Sequence, residues 1–218
     1  VSDSGSMRVL LIFSLFVVGE RVRAHSDFLR FYSSRDCRGQ SRLLQGHLDR
    51  HRNLNKIIEN NEIRSVRLTG VWLLYQLKNY NEYIGMVYVV HGNNITKNLP
   101  SDFPTKLSSI RRVRRSSLPM LTLYERDDYA GKELTVSDNR IQLHELPHGK
   151  ANSLIMTGDM PWTIVTKDHG KTNSACVYPD VTFDPDTDGQ VKNLGFYPNT
   201  ESMGLSGSVV AVIAGCTE

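Results

Sequence analysis

The stretch that decides the fold is LYERDDYAG, Leu123 to Gly131. Tyr124 is followed by Tyr129 five positions later and by Gly131 seven positions later. A glycine at this point allows the backbone to take the positive φ that a tightly folded hairpin requires. The two tyrosines are then placed to pack across the hairpin. The spacing therefore predicts a compact aromatic hairpin between two strands.

The hairpin pattern recurs towards the N-terminus, which indicates internal repetition. The earlier units depart from it in two ways, because one lacks the second aromatic residue and the other contains an insertion. The first unit is Tyr32, Cys37 and Gly39 at the same spacings, and the second is Tyr75, Tyr83 and Gly85 with three extra residues.

Each of these three units later reaches a serine followed by a hydrophobic strand: Ser65 in RSVRL, Ser109 in SSIRRV and Ser153 in NSLIM. A fourth unit runs from Trp162 to Ser208 without the aromatic residue and the glycine of the hairpin. Between these landmarks the chain alternates short apolar segments with Gly, Asn, Asp and Pro clusters. That pattern is typical of an all-β sandwich.

The Tyr-x(4)-aromatic-x-Gly hairpin, Ser137 thirteen residues after Tyr124, and the closing Ser-hydrophobic strand resemble the βγ-crystallin Greek-key motif. The resemblance covers Phe28 to Cys216 and implies an all-β fold of two βγ-crystallin-like Greek-key sandwich domains, residues 27–115 and 118–217. In these domains a serine hydroxyl is expected to bind backbone groups of the folded hairpin. The departures are Cys37 in place of the hairpin aromatic residue, and Gln45 and His91 in place of the serine.

The N-terminus predicts export. Residues 7–24 contain a basic start, the apolar run VLLIFSLFVV and a small-residue cleavage site ending at Ala24, which is typical of a secretory signal peptide. We therefore expect a secreted, extracellular protein. In NNIT, Asn94 is then a candidate N-glycosylation site.

The three cysteines are interpreted in the light of export. Cys176 and Cys216 lie in the same C-terminal region and are predicted to form a disulfide in an oxidising compartment. Cys37 is left over, and two alternatives stay open for it. It is a free thiol, or it links the chain to another protein or to a second copy as a disulfide-linked dimer.

Charge is unevenly distributed along a chain whose net charge is only +3. Residues 27–117 contain 16 Lys and Arg against 7 Asp and Glu, whereas residues 118–218 contain 7 against 14. The basic half is suited to anionic glycans, lipid headgroups or an acidic partner, and we expect no nucleic acid ligand. The alternative is that the two halves attract each other.

The heptapeptide HELPHGK, His144 to Lys150, spells the His-Glu-x-x-His of zinc proteases. Those sites need both histidines on one helix face. Here Pro147 and Gly149 interrupt any helix. We interpret the segment as a loop before Ser153. The chain has no recognisable nucleophile motif either, so we expect no enzymatic activity.

Calcium is the metal that the resemblance implies, through Asx-Asx-x-x-Ser/Thr-Ser motifs in paired units. NNEIRS supplies Asn60 and Asn61, and PTKLSS supplies Ser108, so these three residues form one candidate calcium site. DPDTDG offers a second candidate with carboxylates at alternate positions, Asp184, Asp186 and Asp188. This loop lacks the final glutamate of an EF-hand, and a plain acidic turn is the alternative.

The segment RRVRRSS has two interpretations. Arg112 to Arg115 match a basic processing site at the predicted domain junction, and the alternative is a closing strand with solvent-facing arginines.

The predicted function is that of a secreted, non-enzymatic binding or defence protein with possible calcium binding and a basic N-terminal domain for anionic surfaces. The alternatives are a structural matrix or coat protein, and an inhibitor, toxin or pore-complex subunit.

Overall fold

The structure is a computed structural model that describes residues 27–45, 50–54, 63–103, 107–113, 118–139, 143–183 and 191–216. The predicted signal peptide, residues 7–24, lies outside these residues. The predicted all-β class is confirmed, since strands dominate and the helical elements are single turns. Among the described residues, no helix is long and apolar enough to cross a membrane.

Among the described residues, six strands come from the basic half and eight from the acidic half. The first six are β1 (Phe28–Tyr32), β2 (Ser41–Gln45), β3 (Arg50–His51), β4 (Ser65–Tyr75), β5 (Val87–Asn98) and β6 (Ser109–Arg112). The others are β7 (Met120–Tyr124), β8 (Glu133–Val136), β9 (Ser153–Thr157), β10 (Trp162–Asp168), β11 (Lys171–Val177), β12 (Asp180–Phe183), β13 (Val191–Tyr197) and β14 (Ser208–Ala214). The single turns that lie wholly within the described residues are α1 (Lys78–Asn81) and the 3-10 turns Asp127–Tyr129, Pro147–Gly149 and Glu201–Met203.

The long strands β4 and β5 connect two wings of one hydrogen-bonded network. The first wing has the order β2-β1-β4-β5, and the second has β5-β4-β6-β3. The β4–β5 register shifts between Leu68 and Gly70, where Gly70 pairs with Gly92. Both glycines have positive φ, and a Cβ on Gly92 would lie 2.4 Å from Ile95 Cδ1. The chain therefore turns from one wing to the other where a side chain does not fit.

The same exchange of strands occurs in the acidic half. One sheet has the order β12-β13-β9-β7-β8 and the other has β11-β10-β14. The late strand β13 thus pairs with β9 in the sheet that contains β7. In the same way, the C-terminal part of β5 pairs with β4 in the wing that contains β1 and β2. Each half consequently consists of interlocked Greek keys. The described strands pair only within 28–112 or within 120–214.

Three hairpins are held in one geometry by the serine that opens the closing strand. Each serine Oγ accepts a hydrogen bond from one backbone N–H of the hairpin. The same hydroxyl donates a hydrogen bond to the carbonyl of the hairpin residue that lies three positions before that N–H. The accepted bonds are from Cys37 to Ser65 (3.0 Å), Tyr80 to Ser109 (3.0 Å) and Tyr129 to Ser153 (2.9 Å). The donated bonds reach Ser34 (2.6 Å), Leu77 (2.5 Å) and Arg126 (2.5 Å).

This geometry corrects two assignments. The hairpin aromatic residue of the second unit is Tyr80, whose ring packs edge-on against Tyr75 at 5.6 Å, and not Tyr83, which is 74% exposed. The three extra residues therefore follow the aromatic residue instead of preceding it. The serine that binds the third hairpin is Ser153, since Ser137 lies exposed in the bend after β8.

Alternation along β4 creates two cores at once. Trp72 and Leu74 point between the wings into the core of the basic half. Val71, Leu73 and Tyr75 point the opposite way and pack against the acidic half. Successive side chains of a strand face opposite sides, so a strand buried on both faces must be apolar throughout. The interface core consists of Val71, Leu73, Tyr75, Tyr80, Val113, Tyr124, Tyr129, Ile155 and Leu194.

The predicted disulfide between Cys176 and Cys216 is confirmed. Cys176 lies on β11, and Cys216 follows Gly215, which bridges to Trp162 at the start of β10. The bond therefore fastens both neighbours of β10 at one end of the sheet and encloses 40 residues of sequence.

Reduction of this disulfide is expected to lower the free energy of unfolding by about 4 kcal/mol, because a loop of this length restricts the unfolded chain. Denaturant titrations with and without reductant measure the change. A Cys176→Ser/Cys216→Ser variant should match the reduced protein and should not respond to reductant. Equal stability of the oxidised and reduced wild type would contradict the assigned role.

Candidate functional sites

The outer face of the first wing contains a shallow groove. Leu29 and Phe31 of β1 point into the core, so Phe28, Arg30 and Tyr32 point outward. The antiparallel register places Arg30 directly opposite Arg67 of β4. The groove has a volume of about 380 Å³ and is lined by Phe28, Arg30, Tyr32, Leu43, Arg67 and Asn94.

The groove is positively charged. Like charges directly opposite each other in a sheet are destabilising. In the part of the chain that the structure describes, no carboxylate forms an ion pair with Arg30 or Arg67. Arg67 Nε donates a hydrogen bond to Asn94 Oδ1 at 3.0 Å, which orients its guanidinium at the edge of the groove. The arrangement is suited to an anion that accepts hydrogen bonds from both arginines.

Asn94, the predicted glycosylation site, lies at this edge. It is exposed, its φ is +57°, and its backbone N–H donates to Thr69 Oγ1 at 2.8 Å. Thr96, which completes the sequon, is also exposed. Attachment of a glycan here is compatible with the exposure of both residues and stays a prediction.

The first candidate calcium site is only partly within the described residues. Ser108 immediately precedes β6 and lies beside the C-terminal end of β4. Its N–H donates to Tyr75 O at 3.0 Å, and its carbonyl accepts from Leu54 N at 2.8 Å. It lines a cavity of about 380 Å³ with Asn79 and Glu82. Asn60 and Asn61 lie outside the described residues, as do Asp184, Asp186 and Asp188 of the second candidate site.

The HELPHGK segment forms a loop. Pro147–Gly149 is a single 3-10 turn, and His148 has a φ of +59°. His144 is exposed, with its Nε2 3.8 Å from Glu145. The two histidines therefore do not lie on one face of a helix. The described residues contain no group of three or more His, Cys, Asp or Glu side chains placed to hold a metal ion.

Two sequence features remain, the unpaired Cys37 and the basic segment RRVRRSS. Cys37 occupies the hairpin position that Tyr80 and Tyr129 occupy in the other units, and its Sγ lies 3.6 Å from Thr96 Oγ1. Of the basic segment, Arg112 is in β6, 3.8 Å from Asp27, while Arg114 and Arg115 lie outside the described residues. Pairing of Cys37 and cleavage of this segment stay untested.

The two halves meet around a buried arginine. Arg111 is 3% exposed, and its guanidinium lies 3.6 Å from the centroid of the Tyr80 ring. Its Nη2 donates to Gly131 O at 2.5 Å, and its Nε is 3.6 Å from Glu133 Oε2. Arg50 also forms an ion pair with Glu133. Arginines of the basic half therefore form ion pairs with a glutamate of the acidic half at the junction between the two.

Tyrosines surround this arginine. Tyr75 donates its hydroxyl to Tyr129 O at 2.8 Å, across the junction of the halves. Burial raises the pKa of Tyr75, of Tyr124 and of Tyr129 far above the ordinary tyrosine value. Tyr75 and Tyr124 consequently stay neutral, and their rings, together with the Tyr80 ring, present their faces to the Arg111 cation. This cluster is a structural junction, and neither candidate calcium site includes it.

Replacing Arg111 with Met should lower the free energy of unfolding by about 3 kcal/mol, because it leaves the Glu133 carboxylate with less compensation in a buried site. Denaturant titration measures the loss, and adding Glu133→Gln should recover part of it. Arg126→Met serves as the control, since that side chain is 44% exposed and its Nε lies 3.9 Å from Glu125 Oε1. Equal effects of the Arg111 and Arg126 substitutions would contradict the assignment.

Comparison with solved structures places the fold. The chain is similar to Geodin, a βγ-crystallin from Geodia cydonium, with a TM-score of 0.60 and 18% identity over 87% of this chain and 99% of that chain. It also matches the NMR structure of protein S complexed with calcium, at a TM-score of 0.31 and 17% identity over 87% of this chain and 99% of that chain. A TM-score of 0.31 does not establish that this chain and protein S have the same fold.

No protein-family model and no curated protein matches the chain. At 18% identity the likeness to Geodin establishes the fold and not the function. Together with the interlocked Greek keys and the serine-bound hairpins, it shows that this chain has the βγ-crystallin fold.

Proposed function

We propose that this protein is an extracellular, non-enzymatic binding protein that holds anionic glycans in the groove of its basic half. The observation that carries the proposal is the direct opposition of Arg30 and Arg67 across β1 and β4. A like-charge pair in this position costs stability. A bound sulfate or carboxylate group offsets that cost by accepting hydrogen bonds from both guanidinium groups, which match such anions in shape.

The other walls of the groove favour a sugar over a bare ion. Phe28, Tyr32 and Leu43 add apolar and aromatic surface beside the two arginines. Small-molecule sites commonly combine mostly apolar walls with a few placed polar groups. A sulfated or carboxylated sugar ring carries C–H surface for the aromatic rings and an anionic group for the arginines.

Secretion is part of the proposal. The Cys176–Cys216 disulfide is the kind of bond that persists in oxidising compartments. A signal peptide over residues 7–24 and a glycan on Asn94 agree with that setting. A defence role would follow from glycan recognition on foreign surfaces. A structural matrix protein would need no ligand, and an inhibitor, toxin or pore-complex subunit would act through another surface.

The test is a calorimetric titration of protein without an Asn94 glycan with a sulfated oligosaccharide from heparin. Arg30→Gln and Arg67→Gln should each weaken binding about tenfold, as expected for the loss of a hydrogen bond between charged groups. Wild-type binding should weaken steeply with added salt because the groove is open to solvent.

Arg35→Gln is the matched control. Arg35 is an exposed arginine of the same half, on the first hairpin and outside the groove. The Arg35→Gln substitution removes the same charge as each groove substitution but at a position outside the groove. It should therefore change the affinity much less than Arg30→Gln or Arg67→Gln does. Equal losses in all three variants would show diffuse attraction, and absent binding would overturn the proposal.

Calcium binding by Asn60, Asn61 and Ser108 is a second, separate proposal. The Glu82 carboxylate and the Asn79 amide line the same cavity as Ser108, and oxygen ligands of this kind suit calcium. Calcium should therefore raise the melting temperature of the wild type, and Asn61→Ala should abolish the increase. Asn53→Ala is a control outside the candidate set. The absence of both binding heat and thermal shift in the wild type would remove the site.

A further inference from the structure

The second hairpin presents an apolar tip that the other two lack. It spans residues 76–86, eleven residues between strands, whereas the first and third hairpins span 33–40 and 125–132, eight residues each. All three close alike at the base, with Gln76 N donating to Met86 O at 3.0 Å in the second. The three extra residues therefore extend the end of the hairpin without changing its base.

A buried asparagine holds this extension. Asn81 is fully buried, its Oδ1 accepts from Leu77 N at 2.8 Å, and its Nδ2 donates to Met86 O at 2.9 Å. A Cβ on Gly85 would lie 2.8 Å from Asn81 Oδ1, so the backbone passes close to this amide. The extension is consequently anchored on both sides of its tip.

The anchored tip is apolar and uncovered. Ile84 is 100% exposed and Tyr83 is 74% exposed, with Met86 at 43% and Leu77 at 38%. The first and third hairpins have a single residue at this point, Arg38 between Cys37 and Gly39 and Ala130 between Tyr129 and Gly131, so neither has an equivalent of Tyr83 and Ile84. Neighbouring exposed large apolar side chains are unusual on a protein surface and mark interaction sites.

The charges beside the tip indicate what it contacts. Lys78 belongs to the same hairpin, and Arg52 adjoins it, since Asn79 N donates to Arg52 O at 2.9 Å. The guanidinium of Arg52 lies 5.9 Å from the Tyr80 ring. Glu82 is the single acidic residue of 76–86, and Asn79 Nδ2 donates to it at 3.4 Å. Cations beside an exposed apolar tip match an anionic bilayer surface.

We propose that the hairpin 76–86 inserts Tyr83 and Ile84 into the interface of bilayers that contain anionic lipids. An exposed tip of two consecutive apolar residues enters a fluid acyl layer without needing a complementary pocket, and tyrosine is favoured at the headgroup level. The hairpin is separate from the glycan groove. None of the residues that line the groove belongs to 76–86.

The test is partitioning to vesicles of phosphatidylcholine with phosphatidylserine. Tyr83→Ser/Ile84→Ser should reduce partitioning at least about tenfold, because it removes the inserted apolar area. Tyr178→Ser/Leu118→Ser is the matched control, since those side chains are 61% and 45% exposed away from the hairpin. The control should bind as the wild type does. All of these side chains are exposed, and melting temperatures should confirm that both variants fold.

A second readout reports insertion directly. Trp72 and Trp162 are buried, so a tryptophan introduced by Ile84→Trp dominates any change in fluorescence. Its emission should shift to the blue on addition of anionic vesicles and should be quenched by lipids brominated in the acyl chain. Partitioning unaffected by Tyr83→Ser/Ile84→Ser, or an unquenched tryptophan, would overturn the proposal. So would wild-type self-association that these substitutions abolish in the absence of vesicle binding.

Discussion

The structure depends on a hydroxyl group that holds a folded hairpin from two sides. Ser65, Ser109 and Ser153 each bind one N–H and one carbonyl of a hairpin that precedes them by more than 20 residues in sequence. Backbone polar groups folded back over a sheet must find partners, and one serine supplies two. Because each of these serines begins the closing strand of its unit, the folded position of the three hairpins is coupled to that strand.

The closed hairpins determine how the halves meet. Tyr75 with Tyr80 and Tyr124 with Tyr129 are equivalent edge-on pairs, and they face each other across the junction around Arg111. This use of positive charge explains part of the contrast between a basic and an acidic half. The first wing is different, because the positive charges of Arg30 and Arg67 lie on its outer face. The glycan proposal concerns these two charges.

Local patterns predicted the fold well, and cross-strand geometry limited the prediction of sites. Tyr124, Tyr129 and Gly131 were correctly interpreted because their spacing belongs to one hairpin. Tyr83 was wrongly chosen over Tyr80, since the sequence places an aromatic residue on both sides of the insertion and only burial distinguishes them. The Arg30–Arg67 pair was missed, because residues 37 positions apart become neighbours only once the β1–β4 register is known. The calcium assignments at Asn60, Asn61 and Asp184 to Asp188 fall outside the described residues.

The central functional claim is that one anionic group bridges Arg30 and Arg67. The most direct measurement is NMR of the arginine Nε–Hε groups during titration with a sulfated disaccharide. The account predicts saturable shifts of the Arg30 and Arg67 signals at one common affinity, with the Arg35 and Arg126 signals unchanged. Shifts spread evenly over the exposed arginines, or none at Arg30 and Arg67, would contradict it.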